Sequence, residues 1–455
     1  MYKFRFRNIG NTNPYEELIK VFLTPEEYGI CTGDEEADFE YSGERDRLKR
    51  ELFRDLSKIS GKTPGWGTLT GIRPVKLAAE LADRNDSDMQ AVREKLKDDY
   101  LLHATKADLV MEILDYQRNI LGAPENNSIS LYIGIPFCPT RCLYCSFTSS
   151  QASEEEIDRY LKALHREIQF CGERTGAAVI ESLYYGGGTP TTLNALQLDK
   201  LLSATHKSFN LKCLRELTVE AGRPDTITEE KLRVLKDHGV NRISINPQSM
   251  KESTLEIIGR KHSADDVYNA FETAHKIGIE TINTDLIAGL PEESEKDFAD
   301  SLEEIIGLGA DNITLHTLAV KRSSRLKEVD EKINYRNGSL RNKMLVSAHE
   351  KLRNCSYRPY YLYRQKNTSG DTENTGFCRK DKVSVYNIRI MEERQSILAL
   401  GAGGISKIYF PEENRLERIA NVSNYDIYIE RIEEMLTRKE KSFFIQEEPD
   451  VNKCT

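Results

Sequence analysis

Three cysteines carry the strongest chemical signal in this chain of 455 residues. Cys138, Cys142 and Cys145 stand as C-x3-C-x2-C within Pro-Phe-Cys-Pro-Thr-Arg-Cys-Leu-Tyr-Cys, residues 136–145. Thiolates are soft ligands, and both zinc and iron–sulfur clusters select them. A structural zinc site needs four protein ligands to close its tetrahedron. No fourth Cys or His stands at finger spacing here, and the nearest, His165 and Cys171, lie on an expected helix further along. A 4Fe–4S cluster needs only three thiolates if its fourth iron stays open to an exchangeable ligand. Each cysteine is a few residues from the next, so one loop can wrap one cubane, and the spacing favours the cluster. The other six cysteines (Cys31, Cys171, Cys213, Cys355, Cys378, Cys454) are scattered singly. They read as small buried apolar residues or idle surface thiols. An odd total in a long chain argues against a disulfide framework.

The elements around the loop predict what positions it. Residues 131–136 read as a short buried strand running straight into the cysteines. Residues 153–172 read as a helix opening on Ser-Glu-Glu-Glu, a capping signature. The alternation then repeats, with strands at 181–185, 216–220, 242–246, 281–287 and 312–318. Helices are expected near 195–208, from 228, at 250–258 and 263–277, and from about 295. Strand and helix alternating in this way predict right-handed parallel units. Six of them fit an α/β fold, a partial (β/α)6 TIM-like barrel, whose function sits at the C-terminal ends of the strands. The glycine-rich and polar features fall at that end.

The flanks differ. Residues 1–125 read as an N-terminal α/β accessory domain containing the only Trp, with a helix near 105–121 and a linker at 122–127. Residues 126–325 form the expected barrel, and residues 326–455 a C-terminal, mostly helical domain. That last region includes a strand-like stretch at 357–363 and a second glycine-rich segment at 398–406.

Lys plus Arg number 64 and Asp plus Glu 73, a net charge of −9. An acidic balance speaks against nucleic acid as the main partner. No apolar run approaches the roughly 18 residues of a membrane helix, and the opening residues lack the apolar core of a signal peptide. The expectation is a cytoplasmic protein without a membrane span.

With these residues in view the chain resembles a known family. C-x3-C-x2-C at the end of a first barrel strand is the signature of radical S-adenosylmethionine (SAM) enzymes. The ordered set is narrower: Tyr132-Ile-Gly-Ile-Pro-Phe-Cys138, then Gly-Gly-Gly-Thr-Pro-Thr at 186–191, Glu220, Gln248, Gly259 with Arg260, Asp-Leu-Ile-Ala-Gly-Leu-Pro at 285–291, and Gly-Ala-Gly-Gly-Ile at 401–405. It is similar to the oxygen-independent coproporphyrinogen III oxidase family over roughly residues 128–410. The Trp66 segment resembles the Z-type branch, the coproporphyrinogen dehydrogenases.

The resemblance implies that Cys138, Cys142 and Cys145 ligate a 4Fe–4S cluster whose open iron takes the amino and carboxylate groups of SAM. Tyr132, Gly187, Glu220, Ala319 and Ile405 align with contacts to that SAM. Tyr144, Gly188, Thr189, Gln248, Arg260 and Asp285 align with contacts to the second SAM of members with oxidase activity. It implies a 5′-deoxyadenosyl radical that removes hydrogen from the propionates of coproporphyrinogen III, giving vinyls and protoporphyrinogen IX in haem biosynthesis. It also implies a low-potential electron donor such as flavodoxin or ferredoxin. Lys321, Arg322 and Arg325 are candidates to receive the substrate carboxylates. One departure is visible: oxidases of the family carry a fourth cysteine, C-x3-C-x2-C-x-C, where this chain has Phe147. The haem-chaperone branch lacks it too, so a haem-binding chaperone, or action on another tetrapyrrole, is the alternative.

Taken singly, each residue has a plainer reading. A glycine run is a tight turn, and this one lacks the Gly-Lys-Ser/Thr of a phosphate loop. Glu220 is a solvated carboxylate, Tyr132 packs, and the basic residues after the sixth strand form a solvated charge run. Asp285 inside an apolar strand needs a partner, for which Arg260 is a candidate.

Overall fold

A computed structural model describes residues 1–445 except 32–34, 72, 85–87, 126, 147–148, 320–323, 329–337 and 365–371. The elements, in chain order, begin with β1 (Tyr2–Phe6), α1 (Asn13–Phe22), β2 (Tyr28–Ile30), β3 (Phe39–Tyr41), α2 (Arg45–Ser60), α3 (Pro74–Arg84), α4 (Met89–Asp98) and α5 (Ala104–Ile120). Next come β4 (Ser128–Ile135), α6 (Glu154–Thr175), β5 (Val179–Gly187), α7 (Ala195–Ser208), β6 (Glu216–Glu220), α8 (Glu229–Asp237), β7 (Arg242–Ser244), α9 (Glu252–Ile257), α10 (Ala264–Ile277), β8 (Thr281–Ala288), α11 (Glu295–Gly307) and β9 (Asn312–Thr317). The remainder are α12 (Gly338–Asn354), β10 (Arg358–Tyr363), β11 (Asn374–Cys378), α13 (Val385–Glu392), β12 (Ser396–Leu400), β13 (Ile405–Phe410), β14 (Arg415–Ala420), α14 (Tyr425–Glu430) and α15 (Ile432–Lys439).

The chain divides into two compact units. One holds Met1–Ile120, Ile287–Leu302 and Thr314–Asp381; the other holds Leu121–Leu286, Glu303–Ile313 and Lys382 onward. In the first, β1 pairs in parallel with β2 and β3 on either side. Phe4, Phe6, Leu18, Phe22, Leu52 and Leu56 form the core beneath this small sheet. The helix α2 ends where Gly61 takes φ +67, a left-handed stop that glycine allows without penalty. A second core gathers α3, α4 and α5 around Trp66 and reaches Leu362 of β10. Trp66 is 1% exposed, and its indole donates to Glu373 at 3.0 Å. Lys106 neutralises the same carboxylate at 2.7 Å. A buried charge needs such a partner.

In the second unit β4 to β8 pair in parallel in sequence order. On the far side of β4 lies β12, also parallel, followed by the antiparallel β13 and β14. The strand β9 runs beside β8. Asp311 N–H donates to Ile282 O at 2.9 Å in this unit, and Leu318 N–H to Ala288 O at 3.0 Å in the other. These six parallel strands with their helices are a partial (β/α)6 barrel. Period-two alternation splits each strand. Leu131, Ile133, Leu183, Val219, Ile243 and Ile282 are buried on one face, and Tyr185 on that face bonds Thr205 of α7 at 2.8 Å. The other face is polar: Ser130 and Tyr132; Ser182 and Tyr184; Thr218 and Glu220; Ser244; Asn283 and Asp285. Register pairs Tyr132 with Tyr184, Tyr184 with Thr218, and Ser244 with Asn283. Capping boxes start α6 (Ser153, Glu156), α7 (Asn194, Gln197) and α10 (Ser263, Asp266).

The N-terminal end of these strands is closed by α13. Glu216 accepts the Ser384 hydroxyl at 3.0 Å and Val385 N–H at 2.7 Å, capping that helix with a carboxylate. Arg242 stands 3.3 Å from the same carboxylate. Beyond residue 363 the sequence reading foresaw no strands, and the structure adds β11 to β14. The pattern hides β14, where only Ile419 is buried and the charged residues carry no alternation.

Candidate active site at the barrel mouth

The cysteine loop leaves the C-terminal end of β4 and folds back on it. Cys138 N–H donates to Ser150 O at 3.0 Å and Ser150 N–H to Pro136 O at 2.8 Å. Leu143 N–H donates to Ile258 O at 3.0 Å, tying the loop to the segment that ends α9. The glycine run after β5 fastens the third side, with Gly188 N–H donating to Ile135 O at 2.8 Å and Thr189 N–H to Phe137 O at 2.7 Å. A β-carbon on Gly188 would stand 2.5 Å from Phe137 O, and Gly187 holds φ +110. The run is thus a close backbone approach to the residues leading into Cys138, which only glycine permits.

Cys142 is buried, Cys138 and Cys145 are partly buried, and all three are free thiols. Burial pushes the Cys138 thiol above its ordinary range; a contact with the Thr189 hydroxyl at 3.4 Å opposes it. Arg223 donates from Nη1 to Cys142 Sγ at 3.8 Å. Arg260 reaches both Cys142 and the Tyr144 hydroxyl. Among the described residues, no three His, Cys, Asp or Glu side chains are placed to hold a single metal ion. The thiolates of a cubane bind different irons and stand farther apart than the ligands of one ion. The donor set fits such a cluster: three soft thiols on one loop, beside guanidinium groups that balance its negative charge.

Glu220 ends β6 under the glycine run. A β-carbon on Gly186 would lie 3.1 Å from its carboxylate carbon, so glycine leaves this carboxylate its space. Desolvation raises the Glu220 carboxyl to about 7, Tyr184 and the Gly187 N–H oppose the rise, and Asp285 adds to it. Three tyrosines surround this acid. Tyr184 donates to it, and the rings of Tyr184 and Tyr386 stack at 4.5 Å, with Tyr132 6.2 Å from each.

On the opposite side of the mouth, Asp285 accepts from Asn283 at 3.0 Å, and its N–H donates to Asn246 Oδ1 at 3.2 Å. Gln248 holds φ +72, its N–H donates to Asp285 O at 3.1 Å, and its buried Oε1 has no hydrogen-bond partner among the described residues. A left-handed conformation at a non-glycine residue costs about 1–2 kcal/mol. Arg260, also buried, donates to the backbone oxygens of Gly222 and Asn246 and leaves Nε without a partner. His262 is 3% exposed, and neither ring nitrogen has a partner among the described residues. Burial, with Arg260 beside it, pulls its imidazole down to about 3.

The structure therefore gathers Tyr132, Cys138, Cys142, Tyr144, Gly187, Gly188, Thr189, Glu220, Gln248, Arg260 and Asp285 at one end of the strands, with Cys145 on the same loop. Ile405 opens β13 with 47% exposure and lines a surface cavity of about 510 Å³ with Gly403, Val422 and Ile427. Ala319 follows β9 in the other unit. Arg325 is exposed on a short turn, whereas Phe147, Lys321 and Arg322 lie outside the described residues. Sequence reasoning missed Arg223, Asn246, His262, Tyr184 and Tyr386. A signal existed for Arg223: Arg-Pro-Asp at 223–225, three residues after the strand-end Glu220, is a charged pair at the functional end of a barrel strand.

Comparison with known proteins now bears on this arrangement. Residues 132–305 match the radical SAM superfamily. The oxygen-independent coproporphyrinogen-III oxidase-like protein HemZ of Bacillus subtilis is 41% identical over 395 residues, 85% of this chain and 78% of that protein. The heme chaperone HemW of the same organism is 38% identical over 193 residues, 42% of this chain and 51% of its own length. Among solved structures, coproporphyrinogen III oxidase (HemN) of Escherichia coli, a radical SAM enzyme, superposes with a TM-score of 0.56 at 21% identity, over 70% of this chain and 72% of that one. That likeness speaks for the fold.

Proposed function

This chain belongs to the radical SAM family of proteins resembling oxygen-independent coproporphyrinogen III oxidase, and from that premise we propose that it converts coproporphyrinogen III propionates to vinyls, giving protoporphyrinogen IX. Its superfamily uses a 4Fe–4S cluster and SAM. Bound together, they supply a 5′-deoxyadenosyl radical that removes hydrogen from an otherwise unreactive carbon. The rest is the work of the protein's own residues.

In this reading Cys138, Cys142 and Cys145 hold the cluster, and the Gly187–Gly188 backbone walls the loop so that water and oxygen are kept from it. Glu220 accepts the ribose hydroxyls of SAM while Tyr132 and Tyr184 offer flat apolar surface beside it. Gln248, Arg260 and Asp285 face the opposite side, where a second SAM or the substrate is received. Residues 126–325 form the catalytic core, and residues 1–125 and 326–455 flank it. A cytoplasmic location and an electron donor such as flavodoxin or ferredoxin belong to the same reading. The observation that carries it is convergence: the cysteine loop, the glycine run and the strand-end Glu220 share one mouth in a chain that is 41% identical to a coproporphyrinogen-III oxidase-like protein.

Phe147, where oxidases of the family carry a fourth cysteine, favours a second reading, a haem-binding chaperone like HemW. One assay decides. Anaerobically reconstituted protein, given reductant, SAM and coproporphyrinogen III, is expected to yield 5′-deoxyadenosine and protoporphyrinogen IX. Stable haem binding without that product would select the chaperone.

A further inference from the structure

Arg223 is absent from the set of residues that the family resemblance assigns, yet it touches the cysteine loop at three atoms. Its side chain is 3% exposed. Nε and Nη2 are taken by the two carboxylate oxygens of Asp225, each at 3.0 Å. That fork–fork pair fixes the plane of the guanidinium. Nη1 is left to face the loop, where it donates to Thr140 O at 3.3 Å, to Thr140 Oγ1 at 2.9 Å and to Cys142 Sγ at 3.8 Å. The backbone on which it rides is itself pinned, since the Thr226 hydroxyl donates to Arg223 O at 2.7 Å.

We propose that Arg223, oriented by Asp225, is a positioning residue that holds the Cys142 turn and raises the reduction potential of the cluster through its charged hydrogen bond to the Cys142 sulfur. The inference rests on the reading of Cys142 as a cluster ligand. Its physical basis is general: reduction adds negative charge to the cluster, and hydrogen bonds to the ligating sulfurs and nearby positive charge stabilise that reduced form. Burial sharpens the effect, because little water competes for the sulfur. A purely structural role, fastening the loop to Thr140, would change how well the loop folds but not the potential of a cluster that has assembled.

The test is a redox titration of the reconstituted protein, followed by visible absorbance and the electron paramagnetic resonance of the reduced cluster, with iron and sulfide counted for each sample. Arg223→Gln removes the charge, and Arg223→Lys keeps it without the fork. Arg223→Gln should become harder to reduce, the ratio of reduced to oxidised cluster at fixed potential falling about tenfold, a shift of about 59 mV for a one-electron couple. Arg223→Lys should fall between it and the unsubstituted protein. If Arg223→Gln holds a full cluster at unchanged potential, the inference is wrong. If that variant takes up no iron, Arg223→Lys decides alone by the same criterion. An unsubstituted protein that takes up no iron and sulfide would overturn the cluster reading itself, and this inference with it.

Discussion

The two ends of the barrel in the second unit both bury polar and charged side chains, and they treat them differently. At the N-terminal end almost every group has an answer. Glu181 accepts from Arg389 at 2.9 and 3.0 Å and from Gln395 at 2.7 Å, and these bonds hold its carboxyl below the ordinary range despite burial. Gln395 in turn links Ser128 and Ser130, and Ser130 meets Ser182 at 2.7 Å. At the C-terminal end the balance is reversed. Gln248 Oε1, Arg260 Nε and both nitrogens of His262 lack hydrogen-bond partners among the described residues, and Gln248 is held at positive φ. Unanswered buried polar groups cost about 1–3 kcal/mol each. A fold that satisfies one end and leaves the other open is spending stability where a ligand is to be met.

The comparison can be broken from either end. The largest effect belongs to the mouth: Cys142→Ala should reduce 5′-deoxyadenosine formation to background while the melting temperature of the apoprotein stays near that of the unsubstituted chain. A melting point that collapsed with activity would mean that the cysteine is structural. Next comes the floor. Glu181→Ala takes from buried Arg389 one of its two carboxylates, Glu392 at 3.0 Å remaining, and should cost about 2–3 kcal/mol in denaturant unfolding; a loss under 1 kcal/mol would show that the floor network is replaceable.

A smaller effect is expected at Glu220. Its carboxyl titrates at about 7, above the ordinary value of an unfolded chain. The protonated form is therefore favoured by folding, and the stability it contributes is lost as pH rises from about 4.3 to about 7. Ionisation over the same rise improves Glu220 as an acceptor for hydroxyls. SAM affinity should climb several-fold between pH 6 and 8, and Glu220→Gln should flatten both the affinity and the stability profiles. An unchanged slope in the variant would assign the titration elsewhere. The smallest effect is at Gln248. Replacement by Gly relieves the left-handed backbone and should leave the protein unchanged or up to about 1 kcal/mol more stable, while cofactor or substrate binding weakens. A destabilisation above that size would mean the side chain is structural.

Much of this was legible beforehand, for local reasons. Strands β4 to β9 show as apolar runs between helices with capping signals, and the structure places them within a few residues of expectation. The strands β2 and β3, three residues each, are too short to show a period. The hairpin of β13 and β14 is hidden by its exposed charges. In the site, the cysteine spacing and Glu220 could be read because each lies at the end of its own strand.

What the sequence determined by itself was therefore the set of parts: three thiols on one loop, a glycine run, strand-end acids, and six alternating units. Spacing along the chain is enough for these, because strand period, helix caps and loop length are local properties. Only the tertiary structure decided which distant groups face them. Tyr386 comes from α13 to stack on Tyr184, and Arg223 turns its remaining donor to Cys142 because Asp225 occupies the others. Those encounters depend on strand register and barrel closure, which arise from the packing of all the units at once.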